Sequence, residues 1–165
     1  MTDVCRELGQ RLAAFEWFHD HDEFASWLDG AADADAERCI EHGLVEMSAQ
    51  GNWGIFEGYV HAASLRPDKS QTSALCAVLM QHDLDVNYED IVDALGQVKD
   101  PASIDCLAAT IRWEPDWDEY RGLAVKCIWA LAAIGTPEAW NVLEGFTAEG
   151  PEVLREAVAA ERSDS

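Results

Sequence analysis

The stretch Ala94–Leu107 reads ALGQVKDPASIDCL, and Ala130–Leu143 reads ALAAIGTPEAWNVL. One pattern returns thirty-six residues later. Ala94–Leu95 matches Ala130–Leu131, Val98 matches Ile134, Ile104 matches Trp140, and Leu107 matches Leu143. The apolar positions agree even where the letters differ. Between them, Asp100-Pro101 aligns with Thr136-Pro137. An Asp or Thr oxygen at a helix N-cap satisfies a free backbone N–H, and Pro at the first helical position has no N–H to leave unsatisfied. Each copy therefore reads as helix, tight turn, helix, with the first helix of the first copy ending near Val98–Lys99.

Helical spacing extends outward from this repeat in both directions. Val4, Leu8, Leu12 and Phe15 form one stripe, with Thr2 or Asp3 placed to cap it. A short helix follows at about 23–28, and Gly30 ends it. Asp33 and Asp35 are candidate caps for a helix of about 36–49, with Ile40, Leu44 and Met47 on one side. The segment 53–65 sets Phe56, Tyr59, Val60 and Ala63 on one face. Pro67 then forces a turn before a helix of about 70–82, which makes 53–82 a weaker third copy. From Tyr88 the spacing Tyr88, Ile91, Val92, Leu95 leads into the first clear copy. A last helix of about 151–161 follows the turn at Glu149-Gly150-Pro151. With no β-branched alternating run of useful length, the chain is expected to be all-α. No single helix pair buries its apolar face alone, so the units are expected to stack.

The segments IVDALGQVKDPASIDCL and CIWALAAIGTPEAWNVL, with their shared A-L-x-x-[VI]-x-[DT]-P element, resemble HEAT-like repeats of the short bacterial type named after phycobilisome lyases. The resemblance covers about 88–147 and, more broadly, 53–161. It implies a short α-solenoid of HEAT-like helical hairpins over 53–161; the expected whole is one domain over 1–165, with an irregular N-terminal helical cap over 1–50, where no match is seen, and a frayed tail at 162–165. The insertion RWEPDWDEYRG at 112–122 lengthens the linker or the helix after it. The resemblance is nearly silent on chemistry, because fold does not fix function. Relatives that repair alkylated DNA use basic grooves, which this chain lacks, and bilin-lyase relatives would imply a pigment-handling role.

Composition narrows the partner. The chain has 165 residues, 48% of them apolar, enough for a real core. Thirty-two acids against 11 Lys and Arg give a formal net charge of −21, spread along the chain and not gathered in a tail. Nucleic acid or an anionic membrane surface would need a basic footprint, and none is present. A basic protein partner would instead be drawn in electrostatically; the other reading is that the acidity only keeps the protein soluble. No apolar run reaches the length of a membrane helix. MTDVCRELGQRL is charged from its third residue, with no apolar h-region, so a cytoplasmic location is expected. Cys5, Cys39, Cys76, Cys106 and Cys127 are widely spaced and odd in number. Buried thiols in a reducing compartment fit them best, with disulfides or a redox role as the alternatives.

The candidate chemical sites are weak. His19-Asp20-His21-Asp22 offers metal-ligating types, but adjacent residues in a loop do not converge on one ion. Cys39 and His42 share a helix face and would need two more ligands, such as His61 or His82. As a nucleophile and base, the same pair lacks an identifiable orienting partner. Glu114, Asp116, Asp118 and Glu119 crowd together, yet they read as an exposed helix start, where acids suit the helix dipole. Acid–base catalysis needs two carboxyls in different environments within a cleft. No phosphate loop, nucleophile elbow or zinc-finger spacing appears. No catalytic residue, cofactor or metal is assigned.

A binding reading fits WEPDWDEY better. Trp113, Glu114, Asp116, Trp117, Asp118, Glu119 and Tyr120 interleave aromatic anchors with carboxylates, and Trp and Tyr are enriched at interface hot spots. Lys or Arg of a partner would meet both kinds of group. The alternative makes Trp117 and Tyr120 core residues of a long helix. Asn52-Trp53-Gly54-Ile55-Phe56 poses a similar choice, with packing between repeats the stronger side. The function expected is a non-catalytic, acidic protein-binding module that occupies a basic partner, for example an immunity protein that blocks a bacterial toxin. Some immunity proteins have HEAT-like folds. The second expectation is an adaptor or assembly subunit of a multiprotein complex.

Overall fold

The computed structural model describes residues 3–14, 21–31, 33–82 and 85–163. Thr2, Phe15, His19 and Asp20 from the readings above lie outside them, as do Asp164 and Ser165. Among the described residues the chain is helical, without strands: α1 (Asp3–Ala13), α2 (His21–Gly30), α3 (Asp33–Gln50), α4 (Trp53–Leu65), α5 (Thr72–Leu79), α6 (Tyr88–Val98), α7 (Ile104–Arg112), α8 (Gly122–Ile134), α9 (Pro137–Glu149) and α10 (Glu152–Ser163). Single 3-10 turns at Lys69–Gln71 and Pro101–Ser103 lead into α5 and α7. α3 starts at Asp33, so Asp35 lies inside the helix, where it pairs with Arg38. α10 runs through Ser163, so residues 162 and 163 belong to it and not to a frayed tail.

The repeated turn forms as its residues dictate. Asp100 caps the turn after α6 by accepting from the Ala102 amide at 3.2 Å. Thr136 caps α9 by accepting from the Ala139 amide at 3.2 Å, with Pro137 first in the helix. Asp68 holds the corresponding place after α4. It accepts from Ser70, and the side chain of Gln71 reaches back to the Asp68 amide, a reciprocal capping box. The equivalent of Asp100 in the third copy is thus Asp68, one residue past Pro67. Thr72 also donates to the second oxygen of Asp100 at 2.9 Å, which ties one turn to the next.

Burial follows the same register. Phe56, Tyr59, Val60, Ala62 and Ala63 on α4 are buried, as are Tyr88, Ile91, Val92, Ala94 and Leu95 on α6, and Ala124, Cys127, Ile128, Ala130 and Leu131 on α8. Leu75, Leu107 and Leu143 are their fully buried counterparts on α5, α7 and α9. α4 packs on α6 and α6 on α8; α5 packs on α7 and α7 on α9; α10 closes the end against α8 and α9. α3 lies along α4, and α1 packs on α3 and α4. One connected core runs from Leu8 to Val158. Gly43 lets α3 approach α4: a Cβ there would fall 2.1 Å from the buried ring of Tyr59.

The residue that ends the first helix of each of the two clear copies sits in the left-handed region, Lys99 at φ 54° and Gly135 at φ 69°. Gly tolerates this conformation and Lys does not. Lys99→Gly is therefore expected to raise stability by about 0.5–1 kcal/mol, while Gly135→Ala lowers it by a similar amount. Urea unfolding of both variants beside the parent checks the pair.

Four of the five cysteines are paired, which corrects the expectation of buried thiols. Cys5–Cys39 joins α1 to α3 across 34 residues, with Cα atoms 5.0 Å apart. Cys76–Cys106 joins α5 to α7 across 30 residues, with Cα atoms 5.8 Å apart. These separations bring each pair to bridging distance because the helices that carry them are stacked neighbours. Cys127 alone is free and buried, and desolvation pushes its thiol well above the ordinary range.

α2 is held on α4 through rings. His61 stacks on Phe24 with centroids 6.0 Å apart and lies 4.9 Å from the ring of His21. Burial, and then the nearby His21, lower the pKa of His61 below the ordinary histidine value. The unfolded imidazole then binds its proton first as pH falls below about 6.5. The contribution of His61 is fully present above that pH and is lost as pH drops through the folded value. The urea midpoint is expected to fall between about pH 7 and 5, and to fall less in His61→Phe.

Candidate functional site

The loop of residues 113–121, between α7 and α8, gathers the aromatic and acidic residues singled out in the sequence. The loop itself is not helical. Pro115 and two successive turns, Asp118 N–H to Pro115 O and Arg121 N–H to Asp118 O at 3.0 Å each, carry the chain to Gly122, where α8 begins. Arg121 adopts a left-handed conformation at φ 58°. Its guanidinium donates to the Ile111 carbonyl at 2.6 Å and to the Glu114 carboxylate, which staples the loop to the end of α7.

Asp118 has a different role from the one its neighbours suggested. It is buried, and its carboxylate accepts from the amides of Gly122 at 2.6 Å and Leu123 at 3.2 Å. These are free N–H groups of the first turn of α8, so Asp118 is the acceptor that starts that helix. A partner cannot reach it without undoing the cap, and Asp118 leaves the set of contact residues. No local capping pattern flags this, because the amides lie four and five residues downstream.

Trp113 also belongs to the scaffold. It stacks flat on His82, with centroids 4.1 Å apart, and packs edge-on against Tyr88 at 5.2 Å and Trp117 at 5.8 Å. Tyr88 donates its hydroxyl to the Gln81 carbonyl, which fixes the ring beneath them. Trp117 rests on this base and yet is 56% exposed, and Tyr120 is 82% exposed. The core reading of these two residues therefore fails. Asp116 and Glu119 are exposed beside them. Five side chains of the contact set face solvent on a braced loop: Glu114, which is tied to Arg121, and Asp116, Trp117, Glu119 and Tyr120.

The base of the loop adjoins a second group of acids. Lys126, one turn into α8, bridges to Asp93 at 2.6 Å and Glu89 at 3.2 Å. Burial disfavours its charge, but these hydrogen bonds outweigh it and hold Lys126 above the ordinary lysine value. Desolvation raises the pKa of Asp90, and the charges of Asp93, Glu57 and Glu89 add to that against the pull of Lys126. Lys126 thus serves three carboxylates, Glu89, Asp90 and Asp93.

The set built on Cys39 and His42 does not come together, and His19 and Asp20 of the other candidate lie outside the described residues. Cys39 is bound to Cys5, and His42 is exposed on α3 near Glu46. His61 lies against α2, and His82 lies against Trp113. Among the described residues, no group of three or more metal-ligating side chains gathers, and no helix is long and apolar enough to cross a membrane. Trp53 of the Asn52–Phe56 stretch packs edge-on against the buried Phe56. Comparison with protein-family models, with curated proteins and with solved structures returns no match.

Proposed function

We propose that the chain is a non-catalytic binding module that occupies a basic protein partner, with the loop of residues 113–121 as its contact. The observation that carries this reading is the exposure of Trp117 and Tyr120 between Asp116 and Glu119, on a loop braced from beneath. Exposed aromatic rings among carboxylates supply apolar area and charge to a Lys- or Arg-rich surface, and a rigid loop loses little entropy on binding. The net charge of −21 steers such a partner in. Neutralising a bacterial toxin, in the manner of an immunity protein, is the concrete form we favour. The matching caps and buried positions of α4 to α9 support a short α-solenoid of HEAT-like hairpins as the scaffold. The expected cytoplasmic location rested on the charged N-terminal stretch and on free thiols. Two disulfides suit an oxidising compartment better, and alkylation of the protein taken directly from its own cells decides between them.

The binding reading is tested by capture from the lysate of the source cells at low salt, followed by salt steps. One basic protein in equal amount, released by modest salt, is the expected result. It should be lost with the double variant Trp117→Ala/Tyr120→Ala and weakened by Asp116→Asn/Glu119→Gln, with all variants melting like the parent. Several proteins that stay bound through high salt, indifferent to these changes, would instead mark an assembly subunit.

A further inference from the structure

We propose that the furrow between α6 and α8, walled by Trp129, seats a lysine- or arginine-rich segment of the basic partner. This rests on the reading above that the chain binds such a protein, and it extends the contact from the loop along α8. The furrow is an open cavity of about 390 Å³ lined by Asp93, Gly96, Gln97, Lys126, Trp129 and Ala130, among others. Small residues let α6 and α8 approach closely along it: a Cβ on Gly96 would already touch Ala130 at 3.4 Å. Trp129 stands beside it 49% exposed, although α8 is otherwise the most apolar of the packed helices.

Charge identifies the occupant. Glu89 and Asp93 from α6 bridge to Lys126 from α8, and Asp90 feels Lys126 together with Glu57 from α4, so this neighbourhood carries more carboxylate than Lys126 matches. A guanidinium entering the furrow finds Asp93 as an acceptor and the indole of Trp129 as a ring face, the two groups that recognise arginine. A nucleic acid or acidic peptide would meet repulsion along the whole face.

The loop adjoins the acids that flank the furrow. Gly122, the first residue of α8, lies against both Asp118 and Glu89; a Cβ there would fall 3.5 Å from one carboxylate and 3.7 Å from the other. From Gly122 to the far end of the furrow at Ala133, α8 rises about 16 Å. An extended segment of about five residues covers that distance. One partner segment therefore reaches from Tyr120 to Trp129.

The test uses a nine-residue peptide of alternating Arg and Ala with blocked ends, titrated into the full chain. Calorimetry and the indole N–H resonances of the tryptophans are followed. The Trp117 and Trp129 signals are expected to move together. Trp129→Ala is expected to weaken binding about tenfold, and Ala133→Arg, which fills the furrow with a fixed cation, should do the same. Both positions are exposed, so the variants should melt like the parent. If Trp129→Ala binds normally while Trp117→Ala/Tyr120→Ala does not, the furrow proposal is wrong and the loop reading stands. If the reverse holds, the furrow stands and the loop reading falls. No binding, or equal binding by every variant, overturns both.

Discussion

Reducing the two disulfides is expected to cost the fold about 3–4 kcal/mol each. Cys5–Cys39 closes a segment of 34 residues and Cys76–Cys106 one of 30. In the unfolded chain each link removes the loop-closure entropy of a segment that long, and its loss returns that freedom. A domain of this size is stable by about 5–15 kcal/mol, so losing both links removes a large share. The two are unequal in location. Cys5–Cys39 ties the outermost helix, α1, to α3, and the buried residues of α1 are Leu8 and Leu12, with Val4 and Cys5 partly buried beside them. Cys76–Cys106 ties α5 to α7 inside the stack. Removing the first by Cys5→Ala/Cys39→Ala should loosen α1 before the rest, visible as early amide exchange over Asp3–Ala13. Removing the second by Cys76→Ala/Cys106→Ala should lower the whole urea transition. A urea midpoint that dithiothreitol leaves in place would refute the pairing.

Asp118→Ala is expected to destabilise by about 2–3 kcal/mol, more than a change at Asp116 or Glu119. It strips acceptors from two amides at the start of α8 and leaves them in a buried setting. Leu123, whose amide is one of them, is itself buried, so water replaces the carboxylate poorly. By contrast, Asp116→Asn and Glu119→Gln alter exposed groups and should each stay within about 0.5 kcal/mol of the parent. Urea unfolding of the three single variants separates a scaffold acid from contact acids. If Asp118→Ala unfolds at the parent midpoint, the cap carries no weight, and Asp118 returns to the binding surface. The result also governs how binding variants are built, since a triple substitution at 116, 118 and 119 would confuse a lost partner with a lost helix.

Much of the scaffold was legible in residues 94–143. A cap, a proline and a stripe of apolar residues act over three or four positions, so Asp100 and Thr136 start their helices in the structure as the sequence alone requires. The same holds for α4, whose bounds follow from Pro67 and the spacing of Phe56, Tyr59, Val60 and Ala63. The interleaving of aromatics and acids in WEPDWDEY also marked the loop as a candidate contact before any coordinates.

Tertiary structure alone divided that loop into parts. Trp113 and Trp117 are the same residue type four positions apart; one lies under the other because His82 and Tyr88, from outside the loop, provide the base. Asp116 and Asp118 differ only in which side of the turn they occupy, yet one meets solvent and the other the start of α8. The cysteines follow the same logic: their spacing allowed several pairings, and the stacking of α1 on α3 and α5 on α7 selected two. Local pattern decides where helices begin and end, because hydrogen bonds and steric clashes of the backbone act between near neighbours. Which side chains are buried, paired or left exposed depends on distances between helices remote in sequence, and those are set by packing the whole core at once.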